Sequence, residues 1–204
     1  MILRFLYLVA IVSLSACATM DEEECNSADW QAIGYEDGAQ GHALSYMGNH
    51  RKACADYGIS PDFERYKQGR LAGLQEYCVP ATAFALGRAG GQFNASCTPS
   101  LAPDFEQAWS HGRELHRAES QLRVSEQALK KHLSWLEHLT LEIQEAEAIL
   151  VSDGLSRRQR KEILTDLKDL GEDLAKAEYE LSVLEDQLMD DQGFVGQVQA
   201  RYDY

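Results

Sequence analysis

The stretch ILTDLKDLGEDLAKAEYELSVLEDQL, residues 163–188, decides the fold. In it Ile163, Leu167, Leu170, Leu174, Ala177, Leu181, Leu184 and Leu188 alternate at spacings of four and three, and acids and bases fill most of the other positions. That is the seam of a coiled-coil helix. A second seam precedes it. Leu115, Leu122, Leu129, Leu136, Ile143 and Leu150 recur every seventh residue, with Ala118, Ser125, His132, Leu139 and Ala146 between them. The link is Ser152-Asp153-Gly154-Leu155-Ser156. Gly154 suits a left-handed helix stop, and Ser156 with Gln159 reads as a capping box. The seams match in length about Ser152, so residues 115–192 are expected to fold as an antiparallel coiled-coil hairpin roughly 55 Å long. A coiled coil between two copies is the competing arrangement. Ser125 and His132 weaken the first seam and leave room for a further helix from a partner. Residues 193–204 hold two glycines and no helical period. They are expected to be a flexible tail, with Tyr202 and Tyr204 available as a docking element.

Before the hairpin the pattern is different. An aromatic is followed by glycine three residues on, and by glycine or histidine four further on. The sets are Tyr35, Gly38, His42; Tyr66, Gly69, Gly73; Phe84, Gly87, Gly91; and Trp109, Gly112, His116. Each set lies on one helical face. Glycine costs a helix about 1 kcal/mol relative to alanine, so its recurrence points to close helix–helix contact. Pro61-Asp62-Phe63-Glu64 and Pro103-Asp104-Phe105-Glu106 suggest a duplicated unit of cysteine, short helix, cysteine, loop and Pro-Asp-Phe helix. Helices are predicted near 28–47, 62–77, 81–91 and from 103 onward. Proline and aspartate mark helix starts, and Ser60 is the expected N-cap of the first copy.

Cys25, Cys54, Cys78 and Cys97 lie in the same region and form no CxxC pair, which argues against zinc or thioredoxin-like chemistry. In an exported chain they read as two disulfides. Helices running alternately up and down favour Cys25–Cys78 with Cys54–Cys97. Neighbour pairing, Cys25–Cys54 with Cys78–Cys97, is the alternative. The region also resembles a proteobacterial lipoprotein family of unknown function with a Cys/Gly/aromatic-rich helical domain. The resemblance rests on Cys25, Asp29-Trp30, Gly34-Tyr35-x-x-Gly38, Tyr66-x-x-Gly69-Arg70-x-x-Gly73-Leu74, Tyr77-Cys78 and Phe84-x-x-Gly87 before Cys97. It implies a small disulfide-bonded envelope module and no particular activity.

At the N-terminus, Arg4 precedes an apolar run from Phe5 to Leu14. That run is half of the roughly 20 residues a membrane span requires and suits a signal peptide. Leu14-Ser15-Ala16-Cys17 resembles the lipobox of bacterial lipoproteins. The resemblance implies cleavage after residue 16, acylation of Cys17 with palmitate among the chains, and membrane attachment without a transmembrane helix. Residue 18 is alanine and not the aspartate that resembles an inner-membrane retention signal, so the resemblance implies the outer membrane, facing the periplasm.

The sequence thus divides into a signal peptide (1–16), a lipid-anchored acidic tether (17–24), a duplicated disulfide-braced helical module (25–114), the hairpin (115–192) and the tail (193–204). The fold class is all-α. A net charge of −14 over 204 residues disfavours nucleic acid and general attraction to anionic lipid. Arg157, Arg158, Arg160 and Lys161 cluster just past the hairpin turn, where cations oppose the helix dipole, and form a candidate site for an anionic partner. The histidines His42, His50, His111, His116, His132 and His138 make no ligand spacing, so no metal is expected. Asp29, Asp37 and Asp62 are available to a cleft, but no nucleophile motif accompanies them. No catalytic residue and no cofactor is expected. The expected function is a lipid-anchored envelope structural or adaptor protein. It would engage an envelope protein or glycan, with self-association through the coiled coil as a further possibility. The alternative is a binding module for a glycan or small ligand, in a cleft lined by Trp30, Tyr35, Tyr66 or Trp109.

Overall fold

A computed structural model describes residues 20–93 and 96–202. The signal peptide, Cys17 and Tyr204 lie outside the described residues. The described residues form helices and no strands: α1 Glu22–Ser27, α2 Trp30–Ala39, a 3-10 turn Leu44–Tyr46, α3 Met47–Ala55, α4 Phe63–Tyr77, α5 Pro80–Arg88, α6 Ala102–Leu150 and α7 Arg157–Arg201. The all-α expectation holds. The chain divides into two compact units. One holds the residues up to Ala83 with Gln92–Gln107, the other Phe84–Gly91 with Ala108 onward. Phe84–Gly91 thus joins the second unit, together with α6 from Ala108 onward.

In the first unit α2 and α4 cross with their backbones in contact. A methyl group on Gly34 would overlap the Tyr66 carbonyl, and one on Gly69 the Gln31 carbonyl. Gly38 faces the Arg70 carbonyl and Gly73 the Tyr35 carbonyl in the same way. Each glycine thus meets the carbonyl three residues before its partner glycine, an arrangement that permits Cα–H···O contacts between helices. The glycine pattern of the sequence has its physical reason here.

The predicted helix 28–47 is two helices. It stops at Ala39 because Gly41 takes φ 76° and His42 N–H donates to the Asp37 carbonyl at 2.9 Å, a Schellman ending. The Tyr77 ring packs on Gly41 where a side chain would stand. The chain then turns back through α3. That extra reversal carries Cys54 to Cys25, and the two share a buried cluster with Trp30, Met47 and Tyr66. The disulfides are Cys25–Cys54 and Cys78–Cys97. The favoured pairing, Cys25–Cys78 with Cys54–Cys97, is overturned, because it assumed one straight helix where there are two.

Three local expectations also change. The acidic tether is partly helical: Asp21 and Glu24 form a capping box that starts α1. The N-cap of α4 is Asp62, not Ser60, and its carboxylate accepts the Arg65 N–H at 3.1 Å. The two Pro-Asp-Phe segments are not equivalent, since Phe63 is exposed whereas Phe105 is fully buried, with its ring tilted against those of Tyr77 and Phe93. The true counterpart of Phe105 is Tyr66, also fully buried; each precedes its crossing glycine, Gly112 or Gly73, by seven residues.

The second unit repeats the crossing once. Gly87 of α5 faces the Trp109 carbonyl, and Gly112 of α6 faces that of Phe84. Gly90, at φ 81°, ends α5 under the His116 ring, which a Cβ would meet at 2.8 Å. From there α6 and α7 form the antiparallel hairpin. Leu115, Ala118, Ser125, Leu139 and Ala177 are buried and the other seam residues half-buried. Gly154 takes φ 85° and Ser156 caps α7 with Gln159, as read from the sequence. The expected flexible tail is overturned. Helix α7 continues to Arg201, because Val195 and Val198 extend the four–three seam and bury against Leu115 and Ala118.

Candidate functional site

Two places collect polar side chains. The first is inside the first unit. Asp37 is buried, and its Oδ2 accepts from the Tyr66 hydroxyl at 2.7 Å and lies 2.8 Å from His50 Nε2. Helices α2, α3 and α4 each contribute one of these groups. Trp30, Tyr46 and Tyr66 surround the His50 ring. Beside them Arg70, also buried, donates from Nε to the His42 carbonyl at 2.7 Å. Burial and the bond to Asp37 push the Tyr66 phenol well above its ordinary pKa, so it stays a donor. Burial lowers that of Arg70, partly offset by Tyr66 and Asp37.

This arrangement ties three helices together and orients an imidazole on a carboxylate. No spacing or motif signals it. Asp37, His50 and Tyr66 lie 13 and 29 residues apart, and Asp37 looked like Asp29 and Asp62. Those two are helix caps, and only Asp37 points inward. Trp30 and Tyr66 are buried. Tyr35 bonds through its hydroxyl to Glu76, and this bond raises its pKa. Trp109 donates from its indole nitrogen to the Gly91 carbonyl at 3.0 Å. A depression of about 470 Å³ lies elsewhere in the first unit, lined by Leu44, Met47, Arg51, Pro61 and Phe63 among others.

The second place is the hairpin. The sequence grouped Arg157, Arg158, Arg160 and Lys161, and the structure gives them different tasks. Arg160 donates to the carbonyls of Leu150 and Ser152 and so closes the C-terminus of α6. Arg158 pairs with Glu162 one turn on at 2.9 Å. Arg157 and Lys161 are exposed.

Within the seam Asp191 is buried and accepts from Ser125, from Gln187 at 3.1 Å and from Gln121 at 3.5 Å. These donors, Ser125 first, hold its carboxyl below the ordinary pKa. His132 Nε2 lies 2.7 Å from the Ala177 carbonyl. The two polar seam residues therefore meet α7 itself. At the other end Glu114 accepts from Tyr202 at 2.6 Å and Arg201 at 2.7 Å, which lower its pKa in that order. Tyr202 stacks on His111 at 4.0 Å, so this tail tyrosine packs on the hairpin itself.

Among the described residues no group of His, Cys, Asp or Glu is placed to hold a metal ion, and no helix is long and apolar enough to cross a membrane. The fold defines an all-helical protein with a disulfide-braced, glycine-crossed module and a two-helix coiled coil. A DUF2799 domain, described as a protein of unknown function, covers residues 29–114, and so contains each glycine of the crossings. No curated protein and no solved structure matches the chain.

Proposed function

We propose that this protein is a lipid-anchored structural or adaptor component of the cell envelope. In this reading Cys17 carries acyl chains at the outer membrane and the hairpin engages another envelope component. The observation that carries the reading is the closed seam of α6 and α7. Asp191 and His132 sit in that seam with their partners on the facing helix, and buried polar groups of this kind set register in coiled coils. A hairpin that satisfies its own seam presents fixed outer faces to a partner and needs no acid, base or nucleophile. The lipobox-like Leu14-Ser15-Ala16-Cys17 supports the anchor.

In-cell photo-crosslinking tests it, with a probe at Arg158 on the turn and a control probe at Gln68 on α4. A discrete product from Arg158 is the expected result. A product from Gln68 alone would move the function into the module. Mass spectrometry of the mature N-terminus tests the anchor separately, with a diacylglyceryl cysteine expected at Cys17.

The second reading is a binding module for a glycan or small ligand. The depression beside Phe63 and Arg51 favours it, whereas burial of Trp30 and Tyr66 removes them as platforms. Saturable ligand protection of Arg51 from chemical labelling would promote this reading above the first.

A further inference from the structure

Helix α6 segregates its charges along the hairpin. Between residues 113 and 136 every Arg and Lys (Arg113, Arg117, Arg123, Lys130 and Lys131) stands at a position turned away from the α7 seam. The carboxylates of that stretch, Glu114, Glu119 and Glu126, all occupy positions flanking the seam. Two are engaged there: Glu114 by Arg201 and Tyr202, Glu119 by Arg88. Arg117, Arg123, Lys130 and Lys131 are exposed. Val124 (59 % exposed) and Leu141 (56 %) stand at outward positions of the same helix, and Trp135 (45 %) flanks the seam at the border of that side. The outward positions of α7 have no such run; there Lys168 and Lys176 are mixed with Asp169, Glu172, Asp186 and Asp190.

The exposed cationic part of this stripe, Arg117 to Lys131, is about 21 Å long. In a chain of net charge −14, an outward face that meets no carboxylate from Arg117 to Lys131, the next being the exposed Glu137, is the local exception. Cations along a line attract a surface of anionic headgroups, each multiplying the partitioning several-fold. Exposed Val124 on this side, with Trp135 at its border, suits the headgroup boundary, where amphipathic rings and apolar side chains are accommodated. The acids of α7 lie across the hairpin, about a Debye length from a surface touching α6.

We infer that the outer face of α6, from Arg117 to Lys131, docks on a bilayer surface bearing anionic phospholipid headgroups. The proposal deepens the adaptor reading by giving one hairpin face a membrane role, and it does not depend on acylation of Cys17.

The test uses the full-length chain with vesicles carrying brominated acyl chains, made of phosphatidylcholine alone or with phosphatidylglycerol. Trp135 emission is taken as the difference from Trp135→Phe, which removes the signal of Trp30 and Trp109. The expected result is Trp135 quenching with phosphatidylglycerol vesicles only. It falls at least about tenfold in the combined Arg117→Glu, Arg123→Glu, Lys130→Glu, Lys131→Glu variant, and to an intermediate level with glutamine at the same positions, with unchanged helical circular dichroism. Equal quenching in neutral vesicles, quenching that survives charge reversal, or none in either vesicle overturns the proposal. The last outcome is the one an acidic protein partner would give. Sedimentation with neutral vesicles reads the anchor independently: a chain that stays in solution there fails the anchor reading, whatever Trp135 reports.

Discussion

In the α2–α4 crossing two backbones touch, whereas along the α6–α7 seam side chains hold them apart. The crossing is built from glycines that each face a carbonyl. Backbone atoms cannot shift aside, so the contact is all or nothing. The seam is built from leucines and alanines with an Asp191–Ser125 layer and a His132–Ala177 layer. It can absorb a changed side chain by local repacking, and its polar layers decide register. Close backbone contact therefore concentrates stability in a few positions that carry no side chain, while a seam distributes it over many that do.

The comparison can be broken most directly at Gly69. Gly69→Ala puts a methyl group into the Gln31 carbonyl and is expected to cost at least about 3 kcal/mol, the upper end of overpacking penalties. Thermal unfolding of the module measures it. An unchanged midpoint would mean that the crossing is looser than described.

Next come the disulfides. Cys25→Ser with Cys54→Ser opens a bridge between residues 29 apart and is expected to remove about 3 kcal/mol. The module should melt earlier and the hairpin unchanged. Non-reducing peptide mapping should show Cys25–Cys54 and Cys78–Cys97. A Cys25–Cys78 peptide would contradict the turn at Gly41.

The polar layer gives a pH-dependent effect of smaller size. The folded Asp191 and Glu114 carboxyls titrate below their ordinary values of 3.8 and 4.5. Their stabilisation is therefore fully present above those values and lost as pH falls through the lower folded ones. Hairpin melting followed from pH 6 down to pH 2 should steepen at the acid end, and Asp191→Asn should flatten that part of the profile.

Two exposed positions sharpen the contrast at the low end. Ser156→Ala removes the cap of α7 and should cost about 1 kcal/mol. Gly171→Ala, with nothing within 4 Å of the new Cβ, should stabilise the hairpin by about 0.5–1 kcal/mol. The same substitution that disrupts the crossing at Gly69 thus improves the seam helix at Gly171.

Much of this was legible in advance. The 3.5-residue period, the Gly154 stop and the Ser156 cap are local signals, and each of them reappears in the hairpin. The end of α7 was misread because Gly193 and Gly196 look like a loose segment, although Val195, Val198 and Tyr202 continue the seam. The glycine repeats signalled close contact, but the register of the duplication was misassigned from Pro-Asp-Phe and had to be reset to Tyr66 and Phe105. The Asp37–His50–Tyr66 cluster left no trace in spacing. Of the four basic residues past the turn, two are employed locally, by the end of α6 and by Glu162, while the more extended cationic face lies on α6, hidden in the sequence by a net charge of −14.

The sequence by itself determined the all-helical class, the position of the hairpin turn, the seam residues and the glycines needed for contact, because each depends on neighbours within about one or two helical turns. Only the tertiary structure decided the cysteine pairing, the inward turn of Asp37 and the docking of residues 193–202 along the hairpin. Those depend on which helix faces which, and a single reversal at Gly41, small in sequence, changes that for everything that follows it.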